Sequence, residues 1–182
     1  MGGIYMRSKL INVINNNELV AIYSDECNTE SFMVGYIRKL TDDKLMVINV
    51  GIHGEYDGFS GIYVDDILRI ETNSKYLKKI ALLQSYDAND FIIVDEYEDV
   101  FENLIKMAIN KEHIIAISFL NGEEIRGFIT ECDDGLNVLE IDDYGEKDGE
   151  NMIKFDTIKK IVIDDIECRD IEKLYNYRYK IF

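Results

Sequence analysis

The chain has 182 residues, of which 47% are hydrophobic, and its formal net charge is −16. This apolar content suffices for hydrophobic cores, and since no run of about 18 apolar residues occurs, a membrane-spanning helix is excluded. The excess of acidic side chains repels a phosphate backbone, so nucleic acid is not an expected partner.

The amino-terminal residues and the cysteines favour a reduced, cytoplasmic protein. Residues 1–7 lack the apolar stretch of a signal peptide, and Met6 stands where a myristoylation motif has Ser or Thr. Cys27, Cys132 and Cys168 lie far apart and form no C-x-x-C pattern. We therefore expect core cysteines and no disulfide.

In the first half, the hydrophobic pattern predicts a helix followed by five strands. The short helix is predicted over residues 10–14. The strands are predicted over residues 19–23, 32–40, 45–50, 62–64 and 67–71. Residues 76–86 are predicted to form a linking helix.

The second half repeats this order. Apolar residues at helical spacing, with acids in the first turn, predict a helix over residues 99–109. Strands are predicted over residues 114–119, 125–131, 136–141, 152–155 and 158–163, with Asn121-Gly122 as the first hairpin turn. A final helix is predicted over residues 169–177.

The two halves align without gaps over a shared segment. When the chain is shifted by 91 residues, the 17 positions from 54 to 70 contain eight identities, including the pattern Gly-Glu-x-Asp-Gly. We therefore predict an internal duplication. It gives a first domain over residues 1–75, a helical linker over 76–98 and a second domain over 99–182.

The predicted fold class is mainly β with flanking helices. A helix plus five short strands in each half is typical of a small barrel of the SH3-like kind. Gly35 and Gly127, each inside the second predicted strand of its copy, would allow the strands to bend. The expectation is two such barrels in tandem.

The second copy resembles the Sm/LSm family. The residues that carry the resemblance, spread over 13 positions with the spacing of that family's first motif, are Gly127, Ile129, Cys132, Asp133, Leu136, Asn137, Val138 and Leu139. The resemblance implies an Sm-like barrel, and it extends more weakly to residues 9–71. In the first copy Asp42 is kept and Met46 replaces the Asn.

For RNA, the resemblance implies a uridine pocket with Asp133 and Asn137 in two of its roles. The Arg-Gly of the family's second motif is absent, since Asp156-Thr157 and Asp65-Asp66 stand at the comparable turns. Anions thus replace the cation that would face phosphate.

Two other acidic features have two interpretations each. The shared Gly-Glu-x-Asp-Gly is interpreted as a hairpin turn, with an acidic partner-binding loop that uses Glu146 and Asp148 as the alternative. Asp65 and Asp156, before the last strand of each copy, are interpreted as turn or capping residues, or as acids that face a partner.

The tyrosine-rich carboxyl-terminal segment also allows two interpretations. Tyr175 and Tyr177 alternate with other residues as in a strand, which would dock on a sheet edge or on a partner. The alternative is the end of a helix packed on its own domain. In the first case both tyrosines bind a partner.

No catalytic motif is present, so we expect no enzyme, no metal and no cofactor. His53 and His113 do not align between the copies, and no nucleophile–base pattern accompanies either. The predicted function is protein–protein interaction or regulation, with a protein partner or self-association through sheet edges. The alternatives are an RNA-binding Sm-like protein and an acidic mimic of nucleic acid that binds a basic partner.

Overall fold

A computed structural model describes residues 2–88 and 99–180. The chain divides into two compact units, Met1–Val100 and Phe101–Phe182. Of the predicted linker, residues 89–98 lie outside the described residues. Within the two described ranges, no helix is long and apolar enough to cross a membrane.

The first unit contains two helices and five strands. In chain order they are α1 (Gly2–Asn15), β1 (Val20–Tyr23), β2 (Met33–Leu40), β3 (Lys44–Val50), β4 (Tyr56–Tyr63), β5 (Arg69–Thr72) and α2 (Lys75–Leu83). All pairings are antiparallel, and within the unit the strands lie in the order β5-β1-β2-β3-β4. The predicted linking helix corresponds to α2.

The second unit repeats this organisation. Its elements are α3 (Val100–Lys111), β6 (Ile115–Phe119), β7 (Glu124–Cys132), β8 (Leu136–Ile141), β9 (Lys147–Ile153), β10 (Ile158–Ile163) and α4 (Ile166–Tyr179). The antiparallel order within the unit is β10-β6-β7-β8-β9. The mainly β class with flanking helices is therefore confirmed.

Strand pairing leaves each unit open. Among the described residues, no pairing joins β4 to β5 or β9 to β10. The predicted bounds of β8 and β10 are correct. The bounds predicted for β4 and β9 are wrong at their starts, because both strands begin inside the Gly-Glu-x-Asp-Gly segment.

The reason for this error is local composition. Gly58 and Gly149 read as turn residues, yet they stand in β4 and β9 with φ of 76° and 110°. Gly and Asp favour turns. In β4 and β9 the hydrogen bonds to the neighbouring strand override that preference.

Both faces of the first sheet are covered by helices. Leu10 and Val13 of α1 pack with strand residues in one hydrophobic cluster. Leu77 and Ile80 of α2 pack against Ala21 and other residues of the opposite face. Successive side chains of β1 point to opposite faces of the sheet and pack in one cluster or the other. Because both faces are covered, β1 is apolar at every position.

In the second unit, α4 covers one face of the sheet. Cys168 and Ile171 of this helix pack on Ile114 and Ala116 at β6. The core prediction is thus correct for Cys168, which is buried, and wrong for Cys27, which is exposed in the loop after β1. Cys132, at the end of β7, is half-buried.

The 91-residue repeat is visible in backbone detail before the closing helices. Asn73 and Asp164 have φ of 60° and 56°. The next residues, Ser74 and Asp165, cap α2 and α4 by accepting the backbone N–H three residues further on, at 3.2 Å and 2.8 Å.

The hairpin turn inside the shared motif is also the same in both units. The N–H of Gly54 donates to the carbonyl of Gly51, and the N–H of Gly145 donates to the carbonyl of Asp142, both at 3.0 Å. The turn interpretation is therefore correct for the first half of the motif. Gly54 and Gly145 have φ of 82° and 74° and lie against the backbone of the closing helical segment of their unit.

Candidate functional site

The outer strand of the second unit is β9. It pairs with β8 on one side, with Asn137 opposite Met152, and no described strand pairs with its other side. Its first four residues are exposed, and the Met152 side chain is 87% exposed. An unpaired row of backbone N–H and C=O groups is a template for another strand.

The outer strand of the first unit is β5, which pairs with β1. Its side chains contact β1 closely. The Arg69 guanidinium lies 3.7 Å from the centre of the Tyr23 ring, and the Tyr23 hydroxyl donates to Glu71 at 3.4 Å. These contacts hold β5 in register and leave its outer backbone edge without a partner among the described strands.

A polar recess of about 430 Å³ lies beside β9. It is lined by Thr130, Glu131, Asn137, Glu150, Asn151 and Met152. The amide of Asn137 donates to Glu131 at 2.6 Å, so a carboxylate already uses the group assigned to uridine. Two carboxylates in the lining favour a cationic or hydrogen-bond-donating group over phosphate.

Asp133 does not belong to this recess. It lies in the turn between β7 and β8, where its N–H donates to Gly135 at 3.1 Å and its side chain is exposed. The structure therefore places Asn137 in the recess and Asp133 outside its lining. RNA binding by this pair stays a prediction.

The two acids of the second Gly-Glu-x-Asp-Gly segment have different positions. Glu146 accepts from Arg178 of α4 at 3.0 Å, while its own N–H donates to Asp142 at 2.8 Å. Asp148 is exposed on β9. Glu146 is thus part of an exposed ion pair between the hairpin and α4, and Asp148 lies on the outer strand.

The carboxyl-terminal tyrosines belong to a helix, so the strand interpretation is wrong. The Tyr175 ring lies tilted against the Phe128 ring, with ring centres 4.9 Å apart, and against the Tyr179 ring, with ring centres 4.8 Å apart. Tyr177 points away and is 81% exposed. Residues 175 and 179 share a face because four residues make about one helical turn, which an alternating pattern does not show.

Asp65 and Asp156 are exposed residues close to the start of the last strand of each unit. Asp156 lies in a single 3₁₀ turn, Phe155–Thr157, which leads into β10. Neither side chain has a hydrogen bond to a described residue. Their positions fit the turn interpretation.

The histidines lie at separate places. The N–H of His53 donates to Glu55 within the β3–β4 turn at 2.8 Å, and His113, between α3 and β6, has Nδ1 3.2 Å from Glu172. Among residues 2–88 and 99–180, no three His, Cys, Asp or Glu side chains are grouped as for a metal ion. Burial raises the pKa of the Cys168 thiol, which disfavours the reactive thiolate.

Sequence reasoning placed Met152 in a strand but missed Glu150 and the other residues before it, since it began the strand at position 152. The signal was present in Lys147-Asp148-Gly149-Glu150, which is polar as an exposed edge requires, but it also reads as a turn. It also missed Lys160 of β10, a side chain near Glu124 and Asp165 whose pKa is lowered by burial.

Comparison of the chain with protein-family models, with curated proteins and with solved structures finds no match.

Proposed function

We propose that this protein is a non-catalytic interaction protein that binds protein partners, foremost further copies of itself, through its outer strands. The observation that carries the proposal is the long, exposed outer strand β9, which has no described strand on one side. Strand addition at such an edge satisfies backbone hydrogen bonds and buries the side chains that flank it.

The side chains of β9 support a protein partner. Met152 is a large apolar side chain that is 87% exposed, and it stands beside the free backbone edge. An apolar side chain on an edge strand invites pairing, whereas proteins that avoid pairing place Lys or Pro there. The β5 edge of another copy is a chemically suitable partner, because it too lacks a described neighbour on one side.

We further propose that each unit is an Sm-like barrel. The helix-first order, the five antiparallel strands in the order fifth-first-second-third-fourth, and the bulge in the second strand support this assignment. Gly35 and Gly127 lie so close to the carbonyls of Ile48 and Leu139 that a Cβ would clash. By the same resemblance, three two-unit chains joined at their edges would form a ring of six units.

RNA binding and nucleic-acid mimicry are less well supported. Glu131 and Glu150 beside Asn137 oppose a phosphate backbone. We also propose a cytoplasmic location, since Cys27, Cys132 and Cys168 are all free thiols.

The test is the mass of the chain in solution, by size-exclusion chromatography with light scattering. We expect a mass near three times the 21.1 kDa of one chain at tens of micromolar concentration. Met152→Lys places a charge beside the edge and should weaken association at least about tenfold.

The matched control is Leu82→Lys on α2, because Leu82 is also 87% exposed but lies on a helix. This variant should associate like the unchanged protein. A single-chain mass for the unchanged protein at all concentrations contradicts self-association, and equal effects of the two substitutions contradict the role of β9.

A further inference from the structure

The second unit contains an apolar cavity that the proposed edge interactions do not use. It has a volume of about 250 Å³ and lies between the end of α3, the strands β7 and β8, and α4. Its apolar lining consists of Ala108, Ile109, Phe128, Ile129, Leu139 and Tyr175. Three polar residues complete it, Glu112, His113 and Lys180.

A cavity of about 270 Å³ lies at the corresponding place in the first unit. Asn17 there, like Glu112, follows the first helix of its unit with positive φ. Tyr36 follows Gly35 as Phe128 follows Gly127, and Gln84 is 91 residues before Tyr175. The cavity is therefore a feature of the duplicated fold, and its chemistry differs between the copies.

The first-unit cavity is polar and internally hydrogen-bonded. The Tyr36 hydroxyl donates to Gln84 at 3.0 Å, and the Gln84 amide donates to the carbonyl of Tyr86 at 2.8 Å. In the second unit the corresponding side chains are Phe128 and Tyr175, whose rings contact each other at an angle of 54°. Only the second cavity thus offers an apolar wall, of the kind that small-molecule sites show.

His113 of the lining has one ring nitrogen held by a carboxylate. Nδ1 of His113 lies 3.2 Å from Glu172, which also accepts the N–H of Ile114 at 2.6 Å. A carboxylate only accepts, so Nδ1 carries the hydrogen that faces Glu172, and whenever the ring is neutral Nε2 is an acceptor. Glu172 does not line the cavity, and no described residue hydrogen-bonds Nε2.

We propose that this cavity binds a neutral phenol group. The ring would pack against Phe128 and Tyr175, and the hydroxyl would donate to Nε2 of His113. A phenol is neutral at pH 7. An anion is disfavoured, because Lys180 of the lining is already paired with the Glu112 carboxylate at 3.1 Å.

The test compares 4-methylphenol with toluene, which has the same apolar body without the hydroxyl. Both are titrated into the full chain and followed by protein NMR. We expect 4-methylphenol to bind about fivefold more tightly, the gain from one net hydrogen bond. Shifts should map to the second-unit cavity and leave Tyr36 and Gln84 of the first-unit cavity unmoved.

Two variants separate the hydrogen bond from the apolar wall. His113→Phe keeps a ring and removes the acceptor, so the fivefold preference should vanish while toluene still binds. Ile109→Glu, at a wall residue that is 37% exposed and so tolerates a charge, should weaken both ligands. Equal binding of the two ligands by the unchanged chain, or a preference that survives His113→Phe, overturns the proposal.

A phenol can come from a free small molecule or from a tyrosine side chain of a partner. N-acetyl-tyrosinamide distinguishes these sources. If it binds at least as tightly as 4-methylphenol, the ligand is a tyrosine side chain; if 4-methylphenol alone binds, the ligand is a free phenol. No residue of β9 lines the cavity, so a failure to bind phenol and a failure of edge association are independent results.

Discussion

At the scale of single residues, Gly145 shows why the shared motif begins with glycine. Its φ is 74°, and a Cβ there would lie 2.6 Å from the Leu174 side chain and from the backbone of Tyr175. Gly145→Ala should lower the free energy of unfolding by about 2–4 kcal/mol, from the left-handed backbone together with the steric conflict. Urea denaturation followed by circular dichroism measures this loss.

Gly122 is the matched control for that substitution. Its φ is 86°, yet nothing lies within 4 Å of the Cβ that Ala would add. Gly122→Ala should therefore cost only the backbone penalty of about 1–2 kcal/mol. If both substitutions cost the same, the contact between the hairpin turn and α4 does not constrain position 145.

At the scale of elements, the closing helices depend on their caps. Asp165 accepts the N–H of Cys168 at the start of α4, at 2.8 Å, and Asp165→Ala leaves that donor without its partner. We expect a loss of about 1 kcal/mol in the free energy of unfolding, with Asp165→Asn close to the unchanged protein. Thermal and urea unfolding both measure this loss of stability.

A second acid of α4 provides the comparison. Asp170 is exposed and contacts Lys173 at 2.8 Å within the helix. Such exposed pairs contribute little, so Asp170→Ala should change stability by no more than about 0.5 kcal/mol. A loss equal to that of Asp165→Ala would show that charge near the helix, and not the cap, is responsible.

At the scale of the whole molecule, the net charge of −16 opposes the association of copies. Raising NaCl from about 20 mM to about 300 mM shortens the Debye length from ~20 Å to ~6 Å. Because edge pairing relies on backbone hydrogen bonds and apolar contact, screening the repulsion should strengthen it. Light scattering across this range should show an increasing mass.

The Met152→Lys variant should stay a single chain at both salt concentrations, which separates edge pairing from nonspecific association. A mass that falls as salt rises would contradict this prediction. It would show that ion pairs between copies, rather than the β9 edge, hold them together.

The sequence by itself determined the mainly β class and the order of elements, and it predicts the duplication, because these follow from local patterns. Apolar periodicity located β8 and β10 at their observed bounds, and the 91-residue repeat located the turns at Gly54 and Gly145. It misjudged the starts of β4 and β9, since residues that favour turns are held there by neighbouring strands. Hydrogen bonds to a neighbouring strand override the preference of single residues for turns.

Only the tertiary structure decided which groups meet. His113 and Glu172 are 59 residues apart, and no pattern along the chain relates them. The outer side of β9, the recess beside Asn137 and the contact between the rings of Phe128 and Tyr175 likewise depend on how strands and helices pack in the second unit. Elements form from neighbours in sequence, but an edge or a cavity forms where distant segments pack or fail to pack, and that is a property of the folded chain.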